Sequence, residues 1–405
     1  MAITWLPGGP GSVSVTSDTA VNITGSGGAA TTARKIFDTV PGRTYRLNWS
    51  ANSSTGTYQI GQSALRWNPP PLASDAITID LNASANATKT SYGPYGSDVD
   101  ILIIPKTTNY TLERLQITGG RNIRLIGGYF RSTTTVTAAV LNFVHCYGSV
   151  WLEGVHVEMN GVGERDAINF MSVPEVSAPN ASPPSPLTRR PDGTPGASIY
   201  MQNVRVTNVK GTFNGIHGDV FQPQGDVNEL LTYKMTCSTT YQAFLLEQRL
   251  GRADRDDHII MGELEKISAT RLSGGDASSK LFYFCETTTP QFPLNLKDVY
   301  IDVPDNSTLP VVTYYTHPPE ASAVGTRRSG NQLTWSRIGG FMTIGAGPDY
   351  APANATGLNY SRFEPVIKSN NTSFVNGANT YEFTAANDKT YVEFQRTSTG
   401  TVNIT

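Results

Sequence analysis

The feature that most constrains this chain of 405 residues is a pair of short apolar strands that recurs six times between Arg121 and Tyr315. Apolar and polar residues alternate in both strands, and a period of two is typical of strands that bury one face. The first strands begin at Asn122, Val150, Ile199, Glu229, Met261 and Leu294. The second strands begin at Ala138, Arg165, His217, Tyr241, Ser279 and Pro310. The sequence therefore predicts an all-β fold for this part of the chain.

The intervals between repeats predict a solenoid. The residues taken as equivalent anchors are Leu125, Leu152, Met201, Tyr233, Leu264 and Leu296. They are 27, 49, 32, 31 and 32 residues apart, and the long interval contains residues 173–196, which include seven prolines. This stretch has no apolar period and is predicted to be an inserted loop. Two strands in each repeat, with no helical pattern between them, predict a β-solenoid whose coils stack on one another.

A sharp bend is predicted two residues after each anchor. Gly127, Gly154, Asn203 and Asp298 occupy this position, and these residue types tolerate the left-handed backbone conformation that such a bend requires. Met235 and Lys266 are expected to break the column in the remaining two coils.

Composition limits the classes of partner. The chain has 31 basic and 33 acidic residues, so neither nucleic acid nor an anionic membrane is expected as a partner. No apolar run approaches the length of a membrane span, and residues 1–14 lack the basic and apolar regions of a signal peptide. The three cysteines are predicted to be small core residues, and their spacing indicates neither a disulfide framework nor a zinc site. We expect no cofactor.

The chain is too long for one compact core, and its pattern predicts four regions. Residues 1–70 are predicted to form a small N-terminal β unit, and residues 71–120 a linker with the opening coil of the solenoid. Residues 121–317 are predicted to be the solenoid body, with the insert at 173–196. Residues 318–405 are predicted to form a C-terminal β region, either as a cap or as an oligomerisation region.

Two carboxylates are the leading candidates for chemistry. Alignment of the second strands places Asp166 and Asp219 on adjacent coils, at a spacing of about 4.8 Å between strands. Repulsion between two such carboxylates would hold one of them protonated to higher pH, as glycoside hydrolysis requires of its acid. The alternative is that each aspartate caps the turn before its strand. His217 lies two residues before Asp219 and is a candidate substrate-binding residue.

Further candidates follow from the chemistry of glycans. Glu247 is a reserve catalytic acid, and Arg249 and Arg252 have the geometry to bind carboxylates of an acidic glycan. The charged stretch around them could instead be a solvated loop or a calcium site. Trp151 and Tyr241 are candidates for stacking on sugar rings, with core packing as the alternative.

The coil pattern of residues 98–316 resembles the pectin-lyase-like right-handed parallel β-helix superfamily. The strands RDAINF, from Arg165, and HGDVFQ, from His217, resemble those that carry the catalytic acids of polygalacturonase-type glycosidases. The resemblance implies a right-handed parallel β-helix and maps the acids onto Asp166 and Asp219. The Gly-His-Gly and Arg-X-Lys signatures of those enzymes are missing from the next strands, QAFLLEQ and SKLFYFCE.

The order of an N-terminal β unit, a β-helix body and a C-terminal β region also resembles bacteriophage tailspikes and receptor-binding appendages. This resemblance implies a homotrimer at the virion surface that binds, and often cleaves, a bacterial surface polysaccharide. It also implies that the N-terminal unit contacts other virion proteins.

Three functional hypotheses follow. The first is a glycan-binding protein that hydrolyses its ligand, and the second is an appendage that only adheres to glycan. The third is a polysaccharide lyase with Arg249 or Lys280 as its base. An extracellular location is the alternative to the virion.

Overall fold

The computed structural model describes residues 6–8, 12–17, 20–24, 31–51, 56–108, 110–111, 114–132, 139–159, 164–172, 196–224, 227–248, 259–275, 280–285, 292–303, 316–317, 326–335, 338–364, 372–373, 377–385, 389–396 and 400–404. The fold is all-β. The helical segments in these ranges are short 3₁₀ turns at Ser84–Asn86, Ala353–Ala355 and Gly357–Asn359. None of the helices described has the length and apolar character needed to cross a membrane.

The chain divides into two compact units. Unit 1 contains Met1–Asn68 and Ser361–Thr405, and unit 2 contains Pro69–Tyr360. The strands of the N-terminal part of unit 1 are β1 (Leu6–Gly8), β2 (Ser12–Ser17), β3 (Ala20–Thr24), β4 (Thr31–Asp38), β5 (Thr44–Ala51) and β6 (Thr57–Ser63).

Unit 2 contains the repeat. Its first strands are β7 (Ile77–Asp80), β8 (Ser91–Tyr95), β9 (Ile101–Ile104), β10 (Tyr110–Thr111), β11 (Leu115–Gly119), β12 (Asn122–Ile126), β13 (Tyr129–Ser132), β14 (Leu141–Cys146), β15 (Ser149–Glu153), β16 (His156–Met159) and β17 (Ile168–Ser172). They are followed by β18 (Ala197–Val209), β19 (Asp219–Gln224), β20 (Val227–Thr239), β21 (Gln242–Gln248), β22 (Ile259–Arg271), β23 (Phe282–Cys285), β24 (Leu294–Asp302), β25 (Thr316–His317), β26 (Thr326–Ser329), β27 (Gln332–Trp335) and β28 (Ile338–Ile344). The C-terminal strands, in unit 1, are β29 (Phe363–Glu364), β30 (Thr372–Ser373), β31 (Gly377–Thr384), β32 (Lys389–Arg396) and β33 (Gly400–Ile404).

Two sheets run through unit 2. Over the described residues, the long sheet has 14 strands. Nine of them follow the order β7, β9, β12, β15, β18, β20, β22, β24 and β28, and every neighbouring pair among these nine is parallel. The short sheet has eight strands in the order β8, β11, β14, β17, β19, β21, β23 and β25, also parallel. Because the chain alternates between the two sheets, each repeat contributes one rung to both.

One apolar core joins the two sheets. It contains Leu125 and Leu152 from the long sheet and Phe143, Phe170 and Phe244 from the short sheet, all fully buried. Cys146 and Cys237 lie in this core as free thiols, as predicted, while the side chain of Cys285 lies outside the described residues. Burial raises the pKa of the Cys237 thiol to about 12, so this thiol is not a nucleophile at neutral pH.

The predicted bend is present on six successive rungs of the long sheet. The residues at the bend have φ values between +55° and +72°, and they are Gly127, Gly154, Asn203, Lys234, Lys266 and Asp298. The prediction that this column is broken is therefore wrong. The anchor of the fourth rung is Thr232 rather than Tyr233, since Thr232 lies opposite Met201 and Leu264.

Two lysines adopt the bend despite their side chains. A left-handed conformation costs a residue other than glycine about 1–2 kcal/mol. The ammonium groups of Lys234 and Lys266 each lie 5.3 Å from the centre of the Tyr233 ring. A cation–π contact contributes about 0.5–1 kcal/mol at a partly exposed site, so the two contacts offset part of the strain.

A ladder of side-chain amides crosses the short sheet. Gln116, Asn142, Asn169 and Gln222 occupy one column on four successive rungs. Asn142 donates to Gln116 Oε1 at 3.1 Å, and Asn169 donates to Asn142 Oδ1 at 2.8 Å. The ladder fixes the register of the rungs beside the candidate acids.

The division of the chain differs from the predicted one. The parallel sheets begin at β7 and β8, within residues 71–120, where a linker and the opening coil were expected, and the long sheet continues to β28, beyond residue 317. Residues 361–405 do not form a region of their own, because β32 pairs with β4 and β6, and β33 pairs with β3 and β5. Unit 1 is therefore built from both ends of the chain as two antiparallel sheets that share a cluster containing Trp49 and Phe394.

Candidate functional site

The acid pair, Asp166 and Asp219, lies at the start of neighbouring strands of the short sheet. Asp166 precedes β17 and Asp219 begins β19, and these two strands are adjacent and parallel. The backbone N–H of Asp219 donates to Asp166 Oδ1 at 2.9 Å. Asp219 is fully buried, whereas Asp166 is partly exposed. Of the pair, Asp166 is therefore the more accessible residue.

The segment of residues 210–218 directly precedes Asp219, and its two ends lie in close contact. A Cβ atom on Gly218 would lie 1.7 Å from the carbonyl oxygen of Lys210, and one on Gly211 would lie 2.2 Å from the Gly218 nitrogen. The two glycines thus allow the ends of the segment to meet. The Arg165 N–H also donates to the Lys210 carbonyl at 3.3 Å, so the segment is joined to the residue directly before Asp166.

Glu164 holds the 210–218 segment. Its carboxylate accepts a hydrogen bond from Thr212 Oγ1 at 3.0 Å and another from the backbone N–H of Ile216 at 2.7 Å. The Thr212 N–H donates to the Ile216 carbonyl at 3.2 Å. A carboxylate that accepts from a backbone N–H makes a charge-assisted bond, which is stronger than a neutral one. Glu164 therefore fixes the conformation of the segment next to the acid pair.

The fixed segment presents an aromatic shelf, formed by Phe213 and His217. The two rings lie 6.3 Å apart between centroids with an interplanar angle of 21°, and His217 Nε2 lies 3.3 Å from the Phe213 carbonyl oxygen. Phe213 is 53% exposed and the neighbouring Ile216 is 40% exposed. The shelf is supported by the buried Tyr241, whose ring lies 5.0 Å from that of His217.

Burial controls the ionisation of Asp166. It raises the pKa of this carboxyl to about 6, against the opposing effects of the Asp219 N–H and the Arg165 guanidinium. The guanidinium is itself buried and donates to Ser132 Oγ at 3.1 Å. The sequence-based expectation attributed a raised pKa to repulsion between two carboxylates, whereas desolvation is the largest cause in the structure.

The remaining predicted site residues are dispersed. Trp151 belongs to the long sheet, is 1% exposed and donates its indole N–H to Glu153 Oε2 at 2.9 Å, so its ring face is inaccessible to a sugar. Tyr241 is 2% exposed and supports His217 from beneath. Both aromatic predictions therefore correspond to packing in this structure. Glu247 lies in β21, but its side chain, like Arg249 and Arg252, lies outside the described residues.

Comparison with known proteins leaves the site to be interpreted from its own chemistry. No protein-family model, curated protein or solved structure matches the chain. Among the residues described, no group of three or more His, Cys, Asp and Glu side chains is arranged to hold a metal ion.

The sequence analysis missed Glu164 and Phe213. Glu164 is two residues before Asp166, and Phe213 lies between Gly211 and Gly215 in a stretch without an apolar period. The available signal in the sequence was the stretch with three glycines directly before Asp219. It indicates a tight segment beside that acid, but it does not reveal which carboxylate holds the segment in place.

Proposed function

We propose that unit 2 is a right-handed parallel β-helix and that the protein binds a bacterial surface polysaccharide at the aromatic shelf and Asp166. The parallel order of the two sheets, the rung-by-rung register and the repeated left-handed bends support the solenoid. The proposal places the protein on the virion surface, because a parallel β-solenoid body resembles that of bacteriophage tailspikes. In this proposal unit 1 contacts other virion proteins.

The proposed binding rests on the aromatic shelf, which is exposed to solvent and fixed in place by Glu164. Two nearly parallel rings give an apolar face on which a sugar ring can stack, and the adjacent partly exposed carboxyl of Asp166 can accept hydrogen bonds from sugar hydroxyls. Because Glu164 already fixes the segment, binding requires little ordering of the protein. Preorganisation of this kind strengthens binding.

The test is a titration of the full chain with polysaccharides purified from bacterial surfaces. Replacement of Phe213 by serine is expected to weaken binding about tenfold, the equivalent of about 1.4 kcal/mol. The matched control is Phe341→Ser, because Phe341 is 41% exposed on β28. Equal affinities for wild type and Phe213→Ser, or no binding to any preparation, would refute the proposal.

Glycoside hydrolysis at Asp166 is the second candidate function. A carboxyl that is partly exposed and has a pKa of about 6 remains partly protonated near neutral pH, as a general acid must. Asp219 is the neighbouring carboxyl, but it is fully buried, so it can contact substrate only after a conformational change. Adhesion requires no such movement, and for this reason it is the function that the geometry supports best.

Wild type and Asp166→Asn distinguish the two functions. The asparagine retains an oxygen that can accept the Asp219 N–H, so the fold at this point is preserved. If hydrolysis occurs, reducing ends accumulate with wild type, and the rate falls on the order of 10²–10⁴-fold in the variant. A product with the absorbance of an unsaturated sugar would instead identify a lyase. Binding without shortening by either protein leaves adhesion.

The proposed assembly is a homotrimer, by resemblance to tailspikes. Analytical ultracentrifugation of the full chain measures it directly. A mass three times that of the chain is expected, and a monomer would remove the trimer from the proposal without affecting the glycan site.

A further inference from the structure

Residues 345–360 follow β28 and form a strap that runs back across earlier rungs of the long sheet. The Ala351 N–H donates to Thr236 Oγ1 on β20 at 3.0 Å. Further along, the Gly357 N–H donates to the Gly154 carbonyl at 2.7 Å, at the bend that follows β15. The strap therefore joins rungs of the solenoid that are not neighbours in the stack.

An ion pair and a phenol fasten the strap at two further points. Arg205, on β18, donates from Nη1 to Asp349 Oδ1 at 2.8 Å and to the Ala351 carbonyl at 3.0 Å. At the end of the strap, the Tyr360 hydroxyl donates to Glu153 Oε1 at 2.8 Å, and Glu153 is fully buried. Hydrogen bonds to charged groups are stronger than neutral ones, so these contacts are the main fastenings of the strap.

Between these fastenings, the strap covers a histidine on β16. A Cβ atom on Gly357 would lie 3.0 Å from the Cβ of His156, so the strap backbone is packed against this residue. The imidazole also contacts the Tyr129 ring, with centroids 4.7 Å apart and an interplanar angle of 72°. Its Nε2 is buried, and no hydrogen-bond partner for this atom lies among the described residues. Because a protonated imidazole has two N–H donors, protonation under the closed strap would leave a buried donor unsatisfied.

The surrounding charges also oppose a proton on His156. Arg205 lies directly opposite His156 in the register of β16 and β18, and Asp349 of the strap pairs with this arginine. On the same face of β13 and β16, Arg131 and Glu158 lie opposite each other. Burial, and then the charge of Arg205, lower the pKa of His156 to about 4. Release of the strap would remove the burial, which is the larger of the two causes.

We propose that the strap is an acid-sensitive latch, in which protonation of His156 releases residues 345–360 while the rungs beneath stay folded. A base whose pKa is lowered in the closed state destabilises that state as the pH falls. The loss begins near the ordinary value of about 6.5 and is complete near 4. The strap contains no residue of the aromatic shelf, so this proposal and the proposed glycan binding can fail separately.

Hydrogen–deuterium exchange of the full chain at pH 7 and pH 5 tests the latch, with each rate compared with the intrinsic exchange rate at that pH. The reporters are the Ala351 and Gly357 amides, whose hydrogen bonds join the strap to the sheet. In wild type we expect their protection to fall on the order of tenfold between pH 7 and pH 5. The amides of β18 should stay protected at both pH values, because the opening is local.

Two variants remove the proton-binding group. His156→Leu and His156→Gln cannot be protonated, and each should retain its strap protection at pH 5; either one is sufficient if the other does not fold. The matched control is His145→Asn on β14, since asparagine tolerates the left-handed backbone at this position, where φ is 56°. This control should lose strap protection as wild type does.

The proposal is overturned if wild-type strap protection is the same at pH 7 and pH 5. It is also overturned if the His156 variants lose protection as wild type does, because another group would then control the strap. Loss of protection in β18 together with the strap would show general unfolding in place of a latch.

Discussion

At the scale of residues, the long sheet depends on a left-handed backbone bend that the sequence predicts at only some of its rungs. Gly127, Gly154, Asn203 and Asp298 are residue types that tolerate a left-handed bend, and their positions could be predicted from the repeat. Lys234 and Lys266 could not, because lysine has no preference for this conformation. Their contacts with Tyr233 depend on the register between rungs, which appears only in the folded chain.

Two of the bend glycines provide a matched pair for measuring these effects. Gly127→Ala should cost about 1–2 kcal/mol, because its Cβ would meet only the Gly357 carbonyl oxygen at 3.4 Å and the loss is conformational. Gly154→Ala should cost more, on the order of 3 kcal/mol, because its Cβ would lie 2.0 Å from the Tyr360 ring. Urea unfolding measures both losses, and equal values would contradict the account of the contact with Tyr360.

The pKa of Asp166 predicts a pH-dependent effect on stability. Its folded value, about 6, is above its unfolded value near 4, so its contribution is present below pH 4 and is lost as the pH rises through about 6. Asp166→Asn remains neutral. Relative to wild type, we expect this variant to gain stability on the order of 2 kcal/mol between about pH 4 and pH 7, measured from urea midpoints.

Asp80→Asn is the control with the opposite sign. A hydrogen bond from the Asn82 backbone N–H, and a second from its side chain, lower the pKa of Asp80. Its contribution is therefore lost as the pH falls, and the asparagine variant should lose stability relative to wild type as the pH rises. A stability difference for Asp166→Asn that does not change with pH would contradict the raised pKa that desolvation gives that carboxyl.

At the scale of elements, the alternation of apolar residues predicted the strands well and their register less well. The fourth rung shows why: Leu231, Thr232 and Tyr233 are all buried, so alternation does not identify the residue that faces the core. The tertiary register places Thr232, not Tyr233, beside Met201. On the short sheet, Asn142 and Asn169 lie opposite each other on neighbouring strands.

The amide ladder should be measurable as a coupling between neighbouring rungs. Asn142→Ala removes one hydrogen bond to Gln116 and one from Asn169, and is expected to cost about 1–2 kcal/mol. Gln116→Ala removes the first of these bonds and should cost less. A double-mutant cycle between Asn142 and Asn169 should give a coupling of about 1 kcal/mol. Additive losses would mean that the ladder contributes nothing beyond the separate residues.

At the scale of the whole molecule, the shared construction of unit 1 was the main feature that the sequence did not predict. Strands at both ends of the chain were predicted, but nothing in their pattern indicates that β4 pairs with β32. Pairing between strands so distant in sequence is determined by how well their sheet faces pack together. Alternating polar and apolar residues in an antiparallel strand do not specify the partner.

Removal of residues 361–405 tests this construction. β32 lies between β4 and β6, so its loss would separate these strands and expose the cluster around Trp49 and Ile60. We expect limited proteolysis of the truncated chain to digest residues 1–68 while the strands of the two parallel sheets of unit 2 remain protected. Protection of residues 1–68 in the truncated chain would show that the N-terminal strands fold without β32.

The most direct test of the proposed binding surface is hydrogen–deuterium exchange of the full chain with and without a bound polysaccharide. Protection is predicted in residues 210–218 and 164–166, where Glu164 holds the aromatic shelf beside Asp166. Exchange in β15, where Trp151 is buried, is predicted to stay unchanged. Protection on the long sheet or in unit 1, with exchange in residues 210–218 unaltered, would contradict the assignment of the site.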